Sequence, residues 1–251
     1  MELLSSDLRL ALDPVAFAHS LGFVPDDWQE KVLRWYGGRL VLNCARQSGK
    51  STIAALLAVH RAIFFPDSLI PLFSPSLRQS KELFRKVTDW FGLLPVRPEM
   101  LEDNKLSCTL ANGSRIVSLP SSEATIRGFS GAALIIEDEA SRVHDDIYKA
   151  VRPMLAVSGG RLILMSTPFG KRGHFWHEWS EGGDQWERIE IPATENPRIS
   201  SEFLDEERKS LGDWWYRQEY LCEFVEAVDQ VFNYELVMKA LSPNIMPIFP
   251  E

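Results

Sequence analysis

Two short stretches of this chain have the residue types and spacing to handle a phosphate anhydride. The first is Gly49-Lys50-Ser51, which follows the apolar run Leu40-Val-Leu-Asn43. That run reads as a short buried strand, and from Ser51 onward Ile53, Leu56, Leu57, His60 and Ile63-Phe64 fall near a 3.6-residue period, so a helix begins there. A strand that delivers a turn into a helix N-terminus leaves backbone N–H groups unpaired and aimed at one spot, where the helix dipole also favours an anion. Gly49 lets the main chain come close to a phosphate, Lys50 can reach the outer phosphates, and the Ser51 hydroxyl is placed to ligate Mg²⁺. The generic pattern asks for a glycine five residues before Gly49, and Cys44 stands there instead.

The second stretch is Leu134-Ile-Ile-Glu-Asp138-Glu139. An apolar strand that terminates in two carboxylates presents them at the C-terminal edge of a sheet, where ligands bind in open α/β proteins. Asp138 suits a Mg²⁺ held through water, and Glu139 suits the orientation and deprotonation of the water that attacks a γ-phosphate. Alone, a Glu-Asp-Glu run is equally a solvated turn. Paired with a glycine-lysine turn ~90 residues upstream, it points to nucleotide hydrolysis.

The elements that must position these residues are legible on either side. Leu3 to Phe23 reads as helix, with an apolar stripe through Leu8, Leu12, Val15, Phe17 and Leu21. A new helix starts after Pro25, capped by Asp26 or Asp27, and Gly37-Gly38 ends it before the first strand. Gln29 lies on that helix; its amide offers a donor and an acceptor that suit an adenine edge, and a plain surface glutamine fits the spacing as well. Ser68 to Ser74 reads as strand and Leu77 to Phe91 as helix, whose Arg78, Lys81, Arg85 and Lys86 can share one face, either solvated or laid against a DNA backbone. Lys105–Leu110 and Arg115–Leu119 flank Asn112-Gly113, a strong hairpin signal.

Arg161 to Ser166 is a further buried strand, ending in Ser166-Thr167-Pro168. Hydroxyls at such a tip could sense a γ-phosphate, and the tripeptide also fits an ordinary turn. Trp186–Ile191 reads as strand, Ser201–Leu211 as a serine-capped helix, and Asp213–Phe224 as an aromatic amphipathic helix. From Glu226 the periodicity fades and Pro243, Pro247 and Pro250 space the chain. These readings give an α/β domain over residues 1–225 and a linker over 226–251.

The bulk numbers exclude several classes. With 251 residues there is ample length for a buried core, and a formal charge of −8 argues against a protein that coats nucleic acid by bulk attraction. No stretch approaches the roughly 18 apolar residues of a membrane span, and no signal peptide opens the chain. An intracellular protein is therefore expected. Cys44, Cys108 and Cys222 are widely spaced, so neither a zinc site nor a disulfide framework is indicated.

In this order, Gln29, the loop Cys44-Ala-Arg46-Gln47-Ser48-Gly49-Lys50-Ser51, the strand ending Asp138-Glu139, Ser166-Thr167-Pro168 and the closing Gln218-Glu-Tyr-Leu-Cys-Glu-Phe224 resemble the ATPase half of the large terminase subunit of tailed bacteriophages. A phosphate loop that lacks the first glycine is typical of that family. The resemblance implies a P-loop NTPase of the additional-strand, catalytic-glutamate type: a mainly parallel sheet flanked by helices, with an N-terminal helical segment and a C-terminal helical and linker extension. It implies an ATP- and Mg²⁺-dependent motor that pumps viral double-stranded DNA into a procapsid. Such a motor works in the host cytoplasm as a homo-oligomeric ring on the portal, with a small terminase subunit and no membrane.

By matching position, Gln29 would contact adenine, and the loop from Arg46, Gln47 and Ser48 through Gly49, Lys50, Ser51 and Thr52 would hold the phosphates. Ser51 and Asp138 would serve Mg²⁺, Glu139 would be the catalytic carboxylate, and the motif containing Thr167 would couple hydrolysis to movement. Arg46 matches an arginine that acts on the γ-phosphate in cis, and Arg127 one that reaches a neighbouring subunit's nucleotide. Which of the two is the main arginine finger stays open. Because the acidic residues after Phe224 are scattered and lack a strand pattern, the chain is expected to be the motor domain without nuclease activity. The competing readings are a helicase-like translocase and a non-hydrolysing, nucleotide-dependent docking module.

Overall fold

The computed structural model describes residues 2–120 and 129–226, with side chains from Asp7 onward. Three helices lead in: α1 (Glu2–Leu12), α2 (Pro14–Ser20) and α3 (Asp27–Leu33). The helix expected from Leu3 to Phe23 is thus two helices. Asp13 adopts an extended backbone, its carboxylate accepts from the Val15 N–H at 3.0 Å, and Pro14 opens α2, where a missing N–H costs nothing. The apolar stripe survives the break because both helices face the same core.

The alternating strands and helices follow: β1 (Arg39–Cys44), α4 (Lys50–Phe64), β2 (Leu69–Ser74), α5 (Leu77–Gly92), β3 (Met100–Asp103), β4 (Ser107–Leu110) and β5 (Arg115–Pro120). Beyond the undescribed residues come β6 (Leu134–Asp138), α6 (Asp145–Val151), β7 (Arg161–Ser166), α7 (Gly173–Ser180), β8 (Glu187–Ile191), α8 (Ser201–Leu211) and α9 (Asp213–Glu219). Among the described residues the strands form one sheet in the order β3-β4-β5-β2-β6-β7-β1-β8. Pairing is parallel from β5 to β8 and antiparallel only along β3, β4 and β5. The strand β7 lies between β1, which carries the glycine-lysine turn, and β6, which carries the carboxylates. That inserted strand is the expected additional-strand arrangement.

Strand alternation decides which side chains meet which helices. On β1, Leu40, Leu42 and Cys44 join the core under α2 to α5, while Val41 joins the core beneath α6 and α7. On β6, Leu134 and Ile136 face the α4 side and Ile135 faces the other. By the same period Asp138 lies on the face of α4 and Glu137 on the face of α7. Cys44 is fully buried as the last residue of β1, so the missing glycine is replaced by a core position and the turn starts one residue later.

Two further expectations need correction, and one strand went unread. The aromatic helix ends at Glu219, not Phe224: Cys222 takes φ 59°, its carbonyl accepts from Asn43 Nδ2 at 2.7 Å, and the Tyr220 carbonyl accepts from the Ala193 N–H at 2.7 Å. Backbone groups that a longer helix would use internally instead tie the segment to β1 and the chain after β8. The strand β3 has no counterpart in the sequence reading; Met-Leu-Glu-Asp is short and largely exposed, so it carries no apolar alternation. The basic face of α5 divides, because Arg78, Lys81 and Arg85 are exposed while Lys86 turns inward to donate to the Thr52 hydroxyl at 3.3 Å.

Candidate functional site

The turn between β1 and α4 is built from two left-handed residues, Gln47 (φ 57°) and Gly49 (φ 95°). A Cβ on Gly49 would also lie 3.0 Å from Gln29 Nε2, so this position needs glycine for conformation and for space. The N–H groups of Gln47, Ser48 and Gly49 have no hydrogen-bond partner among the described residues, and those of Lys50 and Ser51 open α4, where no intrahelical carbonyl precedes them. Five successive amides at the start of a 15-residue helix form a cradle for an anion.

The carboxylates come to this cradle from β6. Ser51 Oγ donates to Asp138 Oδ2 at 3.1 Å, and Lys50 Nζ lies 3.2 Å from Glu139 Oε1. Glu139 itself sits at φ 53°, a left-handed conformation that costs a non-glycine residue energy and recurs at functional sites. It starts the short 3-10 turn Ala140–Arg142, and its N–H donates to Asp138 Oδ1 at 3.0 Å. Hence one carboxylate points along the strand toward Ser51 and the next is kinked toward Lys50.

Burial shapes the electrostatics. It pushes the Asp138 carboxyl up to about 6, with Lys50 pulling it down and Glu139 pushing it up. Burial likewise works to lower the Lys50 ammonium, but Glu139 and Asp138 outweigh it and the net shift is upward. Lys50 therefore stays charged across the ordinary pH range. Ser51 and Asp138 supply two hard oxygen donors 3.1 Å apart beside the amide cradle, a donor set that fits Mg²⁺, which takes few protein ligands and completes its shell with water and phosphate.

The other predicted residues are distributed around this centre. Gln29 is buried beneath the turn, but its carbonyl accepts from the Asp26 N–H at 2.9 Å in a helix-capping box, so only the Nε2 end faces Gly49. Arg46 pairs with the buried carboxylate of Glu219 at the end of α9, and its N–H donates to the Glu219 carbonyl at 3.3 Å. The hydrogen bond to Glu219 is the main reason its basicity is raised. The Gln47 carbonyl accepts from Asn196 Nδ2 at 3.3 Å, Ser48 is buried, and Thr52 meets Lys86. Thr167 is buried at the tip of β7, and Ser166 Oγ lies 2.7 Å from Ser141 Oγ, just past Glu139. Arg127, and the 226–251 linker beyond Glu226, lie outside the described residues.

Two parts of the site were missed in the sequence. Glu219 faces Arg46 and, at 3.8 Å, Arg142, so the last helix and both sides of the cradle meet at one buried carboxylate. No spacing rule connects positions this far apart. The second part is Glu137, fully buried on the back of β6, whose Oε1 lies 2.8 Å from His174 Nε2. His174 Nδ1 lies 3.1 Å from Asp145 Oδ1, and the ring stacks on Tyr148 with centroids 4.5 Å apart. Here a signal existed: a glutamate at a buried strand position demands a partner.

A family model described as terminase large subunit, T4-like virus type, N-terminal, matches residues 41–238. The terminase large subunit of Thermus phage G20c is 27% identical, over 86% of this chain and 52% of its own length. That of Escherichia phage T5 is 27% identical over 78% of this chain and 46% of its own length. The chain thus spans about half the length of the curated relatives it matches. Among solved structures, the large terminase ATPase domain of Thermus phage P74-26 superposes with a TM-score of 0.73 at 23% identity, covering 85% of this chain and all (100%) of that one. The large terminase of another thermophilic bacteriophage, in complex with ATP-γ-S, gives 0.63 at 14% identity, over 79% of this chain and 52% of that one. At such identities these likenesses speak for the fold.

Proposed function

The chain belongs to the terminase large-subunit family, matching its N-terminal model over residues 41–238, and from that premise we propose that it hydrolyses ATP to drive viral double-stranded DNA into a procapsid. The observation that carries this reading is the convergence of Lys50 with Glu139 at 3.2 Å and Ser51 with Asp138 at 3.1 Å on one amide cradle. A cation, a hydroxyl and two carboxylates around such a cradle are the parts that phosphoryl transfer to water requires.

In this reading the amides of Gln47 to Ser51 hold the β- and γ-phosphates, and Lys50 leaves Glu139 for the phosphate oxygens as the triphosphate enters. Ser51 and Asp138 hold Mg²⁺, which when bound neutralises charge on the phosphate oxygens. Glu139, released from Lys50, orients the attacking water and takes its proton. Gln29 contributes its Nε2 near Gly49 and the adenine side, and Thr52 closes the phosphate contacts with Lys86 behind it. Arg46 exchanges Glu219 for the γ-phosphate, while Arg127 acts on the nucleotide of a neighbouring copy. Ser166 and Thr167 transmit the change to the loop after β7.

The assembled partners follow from the same reading: double-stranded DNA, a ring of identical subunits on the portal, and a small terminase subunit, in the cytoplasm of the infected host. Among the described residues no helix is long and apolar enough to cross a membrane. Steady-state ATP hydrolysis by the wild type and by Glu139→Ala tests the assignment. Loss of turnover with nucleotide binding retained is expected, and an unchanged rate rejects it. Mixing Arg127→Ala with Glu139→Ala subunits should restore part of the activity; a mixture as inactive as its components refutes action in trans.

A further inference from the structure

At the opposite end of the sheet, a pocket of about 610 Å³ opens among Tyr36, His60, Arg61, Asp67, Gly160 and Arg161. Arg61 stands in the last turn of α4 and Arg161 is the first residue of β7. Ten residues of helix separate Arg61 from Ser51, about 15 Å along the axis, so this pocket is distinct from the cradle. Neither arginine has a carboxylate partner among the described residues. Arg61 Nε donates to Ser68 Oγ at 3.2 Å and its guanidinium lies over the Phe65 ring at 4.3 Å; Arg161 Nη1 donates to the Trp35 carbonyl at 2.7 Å. Asp67, the acidic residue on the rim, turns its carboxylate toward Gly113, where a Cβ would meet Oδ1 at 2.1 Å.

We propose that this pocket is a second oxyanion site, in which one phosphate group bridges the guanidiniums of Arg61 and Arg161.

Half-buried guanidiniums without a counter-charge are uncommon, because a desolvated cation normally keeps a partner. Burial lowers the basicity of both, and the Arg61 charge lowers that of Arg161 further, so the two cations act on each other. The C-termini of α4 at Phe64 and of α3 at Leu33 offset part of this charge, roughly half a unit each, and leave a net positive pocket. His60, whose Nε2 is committed to the Leu10 carbonyl at 2.9 Å, adds no charge at neutral pH because burial pushes it down to about 4. Among the described residues, both Nη groups of Arg61, and Nε and Nη2 of Arg161, have no hydrogen-bond partner. Two planar forks present more donors than the two oxygens of one carboxylate can meet, whereas a tetrahedral phosphate offers a separate edge to each fork. The phosphate can belong to a free anion or to a polynucleotide backbone.

The test uses inorganic phosphate and calorimetry on the whole chain carrying Lys50→Ala, which removes the cation of the cradle and so keeps the result independent of the proposed ATPase reading. One phosphate per chain should still bind, and Arg61→Gln or Arg161→Gln in that background should weaken it at least tenfold. Arg61→Lys should retain part of the affinity. Absence of phosphate uptake in the Lys50→Ala protein overturns the proposal even if the arginine variants fail to fold. Unchanged affinity in folded arginine variants, or acetate binding as tightly as phosphate, also overturns it. A short DNA duplex supplies the second arm: weakened binding in the arginine variants assigns the phosphate to nucleic acid, and unaffected duplex binding with lost phosphate binding assigns it to the free anion.

Discussion

Removing the His174 imidazole should destabilise the protein by about 3–4 kcal/mol, far more than a first-turn helix residue would suggest. Glu137 is fully buried and its Oε1 finds His174 at 2.8 Å, while Oε2 has no hydrogen-bond partner among the described residues. Truncating one member of a buried pair typically costs ~3–5 kcal/mol because the other is left desolvated. Loss of the stack on Tyr148 adds ~0.5–1.5 kcal/mol. The Asp145 contact adds little, since that carboxylate is about half exposed (52%), and water entering the cavity returns part of the loss. For a domain of this size the change corresponds to a drop in Tm of roughly 6–15 °C.

Urea denaturation of wild type, His174→Ala and the double variant Glu137→Gln/His174→Ala provides the assay. The double variant should recover much of the loss, because a buried amide is cheaper than an unpartnered carboxyl. The His174 basicity is raised, with Glu137 and Asp145 outweighing the opposing effect of burial. Its contribution is therefore complete below the unfolded value near 6.5 and is lost as pH rises through the folded value. The stability gap between wild type and His174→Ala should narrow accordingly in alkaline solution. A destabilisation under about 1 kcal/mol at pH 6, or a double variant no better than the single, refutes the reasoning.

The other buried histidine should behave with the opposite sign. Burial pushes His60 down to about 4, so it favours the folded state above pH ~6.5 and withdraws about 3 kcal/mol as pH falls toward 4; His60→Gln should flatten that acid limb in a difference of denaturation curves. Glu219→Gln should loosen the hold on Arg46. Because the Arg46 side chain is 62% exposed, the effect is no more than about 1 kcal/mol, seen as up to roughly fivefold tighter nucleotide binding by fluorescence titration; weaker binding would contradict the competition between Glu219 and phosphate. Gly49→Ala should cost ~1–2 kcal/mol from its φ of 95° and abolish measurable nucleotide binding. Gln29→Ala in the same chain should relieve only the 3.0 Å contact and leave binding impaired.

The strands and the helix that form the cradle were legible because their apolar period is unambiguous: β1, β6 and β7 are continuous buried runs, and α4 shows a helical period from its first turn, whereas α6 and α7, which carry Asp145 and His174, went unread. The meeting of the glycine-lysine turn with Asp138-Glu139 was legible from the rule that parallel strands gather their functional residues at one edge. What was not legible depends on tertiary partners. The α9 boundary is set by Asn43 and Ala193 capturing backbone carbonyls at 2.7 Å, and nothing in Leu221-Cys-Glu-Phe224 announces those captures. Lys86 falls in the same basic run as Arg78, Lys81 and Arg85, and nothing in that spacing announces that it alone turns inward to Thr52. Similarly, the Arg46–Glu219 pair joins residues from opposite ends of the chain, for which local spacing carries no information.

The two faces of β6 tie these pieces together. A strand that offers Asp138 to Ser51 on one side must offer Glu137 to the other, and there His174 receives it from the helix that follows the Ser166–Arg172 loop. The same loop begins at Ser166, which meets Ser141 beyond Glu139. So the segment after β7 is held to the carboxylate strand at both of its ends, once through a hydroxyl pair and once through a buried carboxyl-imidazole contact. On the proposed reading, a displacement of Glu139 as Lys50 turns to a phosphate should be felt at Ser141, two residues further on, whereas the Glu137–His174 contact lies on the other face of the strand. Between those two ends the loop carries Lys171, half-buried 3.7 Å from Glu226 Oε1, and the exposed Arg172. A substitution at His174 should consequently disturb where the loop is anchored, and one at Ser141 whether it responds to nucleotide.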